Sequence, residues 1–349
     1  MTLMQQETRS APEIVACQLK ENTAVILKLV ERLRANPPKF AVTIGRGSSD
    51  HACTFAKYLL ETKLGLVTAS AAPSTVTIYN ANLQMQNALV IGISQSGKSP
   101  DICQMMQAAR AAGAITVAIV NHVTSPLAEI AEYVLPLWAG EEKAVAATKS
   151  YIASLTVLTQ LVAFWANDEA LQVALEKLPE TLTVALSDGH WAGTVDELKQ
   201  VSHTLVIARG FGFPIAQEAA LKLKETAVIQ AEAFSSAEVL HGPFALVQKN
   251  RPFLMFAQND TTLSGNLELA KKIKALRGKV ILFIPKNLLS SDELKQIAAW
   301  VVLLPASLHP ILDPIVAIEV FYLMVEQLAL ARGYNPDTPA NLLKVTETI

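Results

Sequence analysis

Residues 88–113 read ALVIGISQSGKSPDICQMMQAARAAG. An apolar, β-rich run at 88–93 gives way to a turn rich in hydroxyls, and that turn to a helical stretch. The stretch carries its own start and stop signals: Ser99 as cap, Pro100 at the first helical position and Gly113 just past the end. A strand that is apolar throughout and followed at once by a helix is the building unit of a parallel sheet covered on both faces. Similar runs stand at 40–45, 115–120 and 133–137, with another helical stretch at 51–63.

A second set of runs begins at Thr204 (TLVIA), Phe253 (FLMFA), Val280 (VILFI) and Val301 (VVLL). The offsets from the first set are 204 − 40 = 164, 253 − 88 = 165, 280 − 115 = 165 and 301 − 133 = 168. Near-constant offsets are what a duplicated unit produces. The first strand exits also match, IGRGSSD at 44–50 against IARGFGF at 207–213. The expected fold class is α/β: two tandem, doubly wound parallel-sheet domains, at 36–167 and 197–331. An N-terminal helical segment (1–35) should hold a helix over 12–34 that ends at Pro37-Pro38. A helical linker is expected at 168–196, and a polar tail at 332–349.

The chain has 349 residues, a length that favours about two domains, and 51% of them are hydrophobic. Lys plus Arg (29) and Asp plus Glu (31) nearly balance, at a net charge of −2. That argues against a nucleic-acid binder with a basic stripe and against an acidic disordered tail. Cys17, Cys53 and Cys103 are too scattered for a disulfide framework or a thiolate metal site, so a cytoplasmic setting is expected. Residues 1–10 lack the apolar core of a signal peptide. The uncharged run 150–167 includes Ser150, Ser154, Thr156, Thr159 and Gln160. It falls short of the ~20 predominantly apolar residues of a membrane span and reads as a buried packing helix. No membrane partner is expected.

Parallel sheets bind ligands at the carboxyl ends of their strands. There Ser94, Gln95, Ser96, Gly97, Lys98 and Ser99 lead into a helix N-terminus, whose unpaired N–H groups and dipole favour an anion. Neither a nucleotide P-loop nor a dinucleotide glycine fingerprint is present, so a phosphate monoester on a small molecule fits better than a nucleotide. At an offset of 163 the second copy reads Gln258-Asn259-Asp260, an acid where the first copy has its anion-friendly loop. Ser48 and Ser49, after the first strand, would border the same crevice.

Glu218, Lys222 and Glu225 share one face of a helix that opens at Pro214, with Ala216, Ala219, Ala220, Leu223 and Ala227 on its packed side. On spacing alone, Glu218–Lys222 is a surface ion pair and Glu225 a solvated residue. His241 precedes Gly242-Pro243 and is read either as a structural residue or as a proton carrier suited to neutral pH. His51, His122, His190, His203 and His309 show no ligand spacing, and no metal or cofactor is expected. Lys344, on spacing alone, is a solubilising tail lysine.

Together these segments resemble the SIS (sugar isomerase) family, and most of all the tandem isomerase module of the glutamine–fructose-6-phosphate amidotransferase type. The resemblance runs from about residue 40 to residue 349. It rests on Ser94-Gln95-Ser96-Gly97, Ala220-Leu221-Lys222-Leu223-Lys224-Glu225, Ala231-Glu232-Ala233-Phe234, His241-Gly242-Pro243 and Asn341-Leu342-Leu343-Lys344. It implies that Ser94, Gln95, Ser96, Ser99 and Ser49 hold a sugar 6-phosphate, with Ser48 and the Val145 backbone near the sugar. Lys222 is taken as a further substrate contact. Glu225 is then the base that moves a proton between C1 and C2, His241 opens the sugar ring from a neighbouring subunit, and Lys344 matches a Schiff-base lysine. A homodimer with a shared active site is implied.

The chain departs from the synthase pattern. Residue 2 is Thr rather than the glutaminase cysteine, so no internal ammonia supply is expected, and Ala147, Leu240 and Ala340 stand where the synthase has Ser, Lys and Arg. The chain then looks like an SIS-type glucosamine-6-phosphate deaminase, forming fructose 6-phosphate and ammonia. Alternatives are fructosamine-6-phosphate deglycase, galactosamine-6-phosphate deaminase/isomerase, ammonia-dependent glucosamine-6-phosphate synthesis, or a non-catalytic sugar-phosphate sensor.

Overall fold

The computed structural model describes residues 1–187 and 191–344. His190 and the end of the tail, 345–349, lie outside the described residues. Two five-stranded parallel sheets carry the fold. The first contains β1 (Phe40–Ile44), β2 (Thr68–Ser70), β3 (Ala88–Ser94), β4 (Ile115–Val120) and β5 (Tyr133–Pro136), in the order β2-β1-β3-β4-β5. The second contains β6 (His203–Ala208), β7 (Gln230–Ser235), β8 (Pro252–Phe256), β9 (Lys279–Pro285) and β10 (Trp300–Leu304), in the order β10-β9-β8-β6-β7. Matching β6 to β1, β7 to β2 and so on makes the two orders identical, as a duplication requires.

The apolar runs became strands because both faces of each sheet are covered. Every residue of β3, β4 and β8 is buried. Each buried Leu, Ile or Phe contributes about 1.5–3 kcal/mol relative to an exposed one, which fixes these segments in the sheet centre. Helices Ser48–Leu64 and Pro100–Ala111 follow β1 and β3, and Phe213–Ala227 and Leu263–Ala275 follow β6 and β8.

The structure corrects the expected N-terminal helix. The chain forms three helices, Leu3–Arg9, Ala11–Glu21 and Thr23–Ala35, rather than one over 12–34. Strands β2 and β7 were not expected either. The stretch 168–196 contains helix Glu169–Ala185 and most of helix Ala192–Leu198, which runs two residues past it.

The chain divides into two compact units. One holds the second sheet and consists of residues 1–12, 143–148 and 177–342; the other holds the first sheet and consists of 13–142, 149–176 and the chain from 343. Helix Lys149–Trp165 is buried at every residue from Lys149 to Ala163. Among the described residues, Asp313–Ala331 is the helix long and apolar enough to cross a membrane by length and composition. In the structure it is a core helix: 83% of its apolar window is buried, and it carries Glu319 and Glu326.

Candidate active site

In the first sheet the strand order reverses at the β1–β3 pair, and the loops after these two strands face the crevice where open α/β sheets bind ligands. After β3, the Ser94 hydroxyl accepts from the Gly97 N–H (3.0 Å) and the Ser96 hydroxyl from the Lys98 N–H (3.3 Å). Gly97 has φ +65°, and a Cβ there would lie 2.1 Å from Ser125 Oγ. Any side chain would push the loop off the element that supports it. Ser99 is the N-cap residue of helix Pro100–Ala111, yet its side chain makes no cap hydrogen bond. After β1, Ser48 and Ser49 form the first helical turn of Ser48–Leu64 rather than a loop, because Gly47 takes φ +55° at the cap.

A residue pair that sequence reasoning missed braces the two loops. Arg46, after β1, donates from Nε (3.0 Å) and Nη2 (2.8 Å) to Oδ2 of Asp101, which is 1% exposed in the first helical turn after the 94–99 loop. The partners lie 55 positions apart, so no local spacing signals them. The equivalent loop after β8 is built otherwise. There Oδ1 of Asp260 accepts from the Thr262 N–H (2.8 Å) and hydroxyl (2.5 Å), and Oδ2 from Gln258 Nε2 (2.9 Å). A carboxylate of the chain itself thus takes up donors at this strand–helix turn.

Helix Phe213–Ala227 carries the candidate base. The expected surface pair Glu218–Lys222 is instead wholly buried: both residues are 0% exposed. The helix packs against β6 and β7 and against helix Asp313–Ala331, where the Tyr322 hydroxyl donates to Glu218 Oε1 (3.0 Å). Lys222 Nζ donates to Oε2 of Glu225 at 2.5 Å and lies 3.3 Å from Oε1 of Glu218. Burial pushes the Lys222 pKa down, but the two carboxylates, Glu218 foremost, more than reverse this, so its net shift is upward and the ammonium keeps its proton. Glu225 is therefore an ion-paired residue rather than a freely solvated one, with 22% of its side chain open. It lines a cleft of about 530 Å³ with Thr226, Val228, Tyr334, Asn335 and Asn341 among others.

The structure brings Lys222 and Glu225 together, and Glu225 together with the 333–342 tail. His241 is not among the residues lining that cleft. It is exposed in a turn where its N–H donates to the Glu238 carbonyl (2.9 Å) and Gly242 takes φ +143°. The Val145 N–H donates to the Asp337 carbonyl (3.0 Å). Lys344 is not simply a solvated tail lysine: its Nζ donates to Oε2 of Glu142 at 3.0 Å. The Glu142 side chain is fully buried and also accepts from the Ser150 N–H (3.1 Å) and hydroxyl (2.7 Å).

Fold and loops define a duplicated, doubly wound α/β protein with a hydroxyl-rich strand–helix turn in its first repeat. The SIS domain family model matches residues 37–164 and 197–331, and the chain belongs to that family. It is 34% identical over 302 residues to an isomerising glutamine–fructose-6-phosphate aminotransferase of Methanothermobacter thermautotrophicus, covering 85% of this chain and 50% of that protein. The chain spans about half the length of the curated relatives it matches. A crystal structure from Silicibacter pomeroyi DSS-3, provisionally assigned as a phosphosugar isomerase, is 38% identical with a TM-score of 0.89, covering 97% of this chain and 100% of that one. The C-terminal domain of glucosamine-fructose-6-phosphate aminotransferase from Francisella tularensis is 27% identical with a TM-score of 0.87, covering 97% and 98%.

Proposed function

We propose that the chain is a phosphosugar isomerase that couples aldose–ketose isomerisation to loss of an amine, converting glucosamine 6-phosphate and water to fructose 6-phosphate and ammonia. The observation that carries this reading is the Glu225 carboxylate, partly open to a cleft and held at 2.5 Å by a buried ammonium. A carboxylate fixed by a charge-assisted hydrogen bond but still open to a cavity is placed to exchange protons with a bound substrate. Membership of the SIS family and 38% identity to a chain assigned as a phosphosugar isomerase support the substrate class.

In this reading Ser94, Gln95, Ser96, Ser99 and Ser49 receive the phosphate, aided by the dipole of helix Pro100–Ala111. Ser48 and the Val145 backbone meet the sugar, and His241 opens the ring to expose the C1 aldehyde. Glu225 removes the C2 proton, acidic because it is α to a carbonyl, and returns a proton to C1. The C2 imine so formed takes up water and releases ammonia. Lys222 acts through Glu225 rather than as a direct substrate contact, since its ammonium is already engaged by two carboxylates. A positioned base of this kind supplies about 10²–10⁴-fold. A homodimer with His241 given to the neighbouring subunit fits its exposure.

The test is to supply glucosamine 6-phosphate to the purified protein and assay ammonia and fructose 6-phosphate together. Equal amounts of both are expected; a protein that forms neither contradicts the assignment.

A further inference from the structure

The first helix of the chain, Leu3–Arg9, has no part in the chemistry above, yet it is tied to two segments of the same unit that have. Its Glu7 is 7% exposed and spends its carboxylate on the chain around Val145: Oε1 accepts from the Lys143 N–H, and Oε2 from the Ala144 N–H at 3.3 Å. Its N-terminus is capped twice. Thr2 Oγ1 accepts from the Gln5 N–H (3.1 Å), and Asp337 accepts from the Leu3 N–H through Oδ2 and the Met4 N–H through Oδ1, both at 2.8 Å. The Thr2 hydroxyl donates in turn to Glu326 on the core helix Asp313–Ala331 (2.9 Å).

Asp337 closes the circuit. Its carboxylate holds the helix, its carbonyl accepts from the Val145 N–H, and its own N–H donates to Asn335 Oδ1 (3.0 Å), which fixes the 335–338 turn. That turn belongs to the tail lining the Glu225 cleft, through Asn335 and Thr338. Free N–H groups at a helix start are obligatory donors, and two charge-assisted bonds to one carboxylate fix both partners in orientation.

We propose that helix Leu3–Arg9 is a positioning element for turnover, with Glu7 setting the backbone at 143–145 and Asp337 setting the tail that walls the Glu225 cleft. The role in turnover rests on the proposed function; the clamp itself does not.

The experiment pairs Glu7→Ala and Asp337→Ala with the conservative Glu7→Gln and Asp337→Asn, each checked for thermal unfolding above the assay temperature. Backbone deuterium uptake over 143–146 and 335–342 reads the clamp without substrate, and steady-state kinetics with glucosamine 6-phosphate reads its use. The alanine variants should exchange at least tenfold faster in both segments and lose at least tenfold in kcat. Inhibition by inorganic phosphate should stay within twofold, because the loop at 94–99 is untouched, and Glu7→Gln should recover most of the kcat that Glu7→Ala loses. Uptake unchanged in the alanine variants overturns the proposal, as does faster uptake with kcat unchanged. If the parent itself releases no ammonia, the proposed function fails, and the uptake measurement alone upholds or overturns the clamp.

Discussion

The Lys222 ammonium lies 2.5 Å from Oε2 of Glu225, one turn further along the same helix, and is itself 0% exposed. A second carboxylate, Glu218, stands 3.3 Å away on its other side and is equally buried. Two acids thus share one cation, and the more open acid faces the cleft. The arrangement divides the labour: Glu218, held by Tyr322, fixes the lysine, and the lysine fixes Glu225.

Removing the cation should therefore cost stability as well as activity. Lys222→Met leaves Glu218 buried with the Tyr322 hydroxyl but without its counter-charge, and breaking a buried pair this way costs about 3–5 kcal/mol. The double variant Lys222→Met/Glu218→Gln should recover part of that loss. Denaturant unfolding of the two variants checks it, and a single variant no less stable than the double one would contradict the shared-cation reading.

Gly97, in the turn proposed to hold the phosphate, leaves no room for a side chain. Gly97→Ala must adopt φ +65°, which costs an L-residue about 1–2 kcal/mol, and must also displace Ser125. Gly97→Ala/Ser125→Gly removes the overlap but not the backbone cost. Phosphate affinity and unfolding temperature should both rank parent first, the double variant second and the single variant last. An alanine variant with parental affinity would show that the turn is not the anion site.

Asp313, 4% exposed at the start of the core helix, has its pKa raised from 3.8 to about 6 by burial and by the nearby Asp260, against hydrogen bonds from the Asn259 N–H and the Ser307 hydroxyl. Between these values the folded state holds a proton that the unfolded state has released. Stability must then fall as pH rises from about 4 to 6, by roughly 3 kcal/mol for a shift of this size. Asp313→Asn lacks that loss. Unfolding free energies across pH 4–7 should move in the variant's favour by about that amount, and parallel curves would refute it.

How much of this the sequence revealed follows from what each signal depends on. The buried strands β3, β4 and β8 were legible because burial on both faces demands unbroken apolar runs. Strands β2 and β7 were not. Thr68–Ser70 is three residues long with two of them exposed, and Gln230–Ser235 lies at a sheet edge with polar residues interspersed. The spacing of Glu218 and Lys222 was visible, but i, i+4 pairs look alike on a surface and in a core. What buries them is helix Asp313–Ala331, about a hundred residues away. The pairs Arg46–Asp101, Glu142–Lys344 and Glu7 with the backbone at 143–144 share that reason: each joins residues that only the fold brings together.

Lys344 offers a covalent test. A lysine must shed a proton before attacking a ketone, and Glu142, 3.0 Å from its Nζ, is placed to take it. Borohydride added to the protein with fructose 6-phosphate should attach a hexitol phosphate to the peptide containing Lys344, and Glu142→Gln should slow the trapping at least tenfold. Trapping as fast in Glu142→Gln as in the parent would remove Glu142 from this role.

The fate of the hydrogen on C2 tests the assignment of Glu225 most directly. Glucosamine 6-phosphate labelled with deuterium at C2 is converted, and the fructose 6-phosphate is read by NMR at C1, with the released label read in water. The parent should pass the deuterium to C1 or to solvent as ammonia appears, and Glu225→Gln should lower both by at least a hundredfold. Label that moves as readily in Glu225→Gln as in the parent would contradict the central claim.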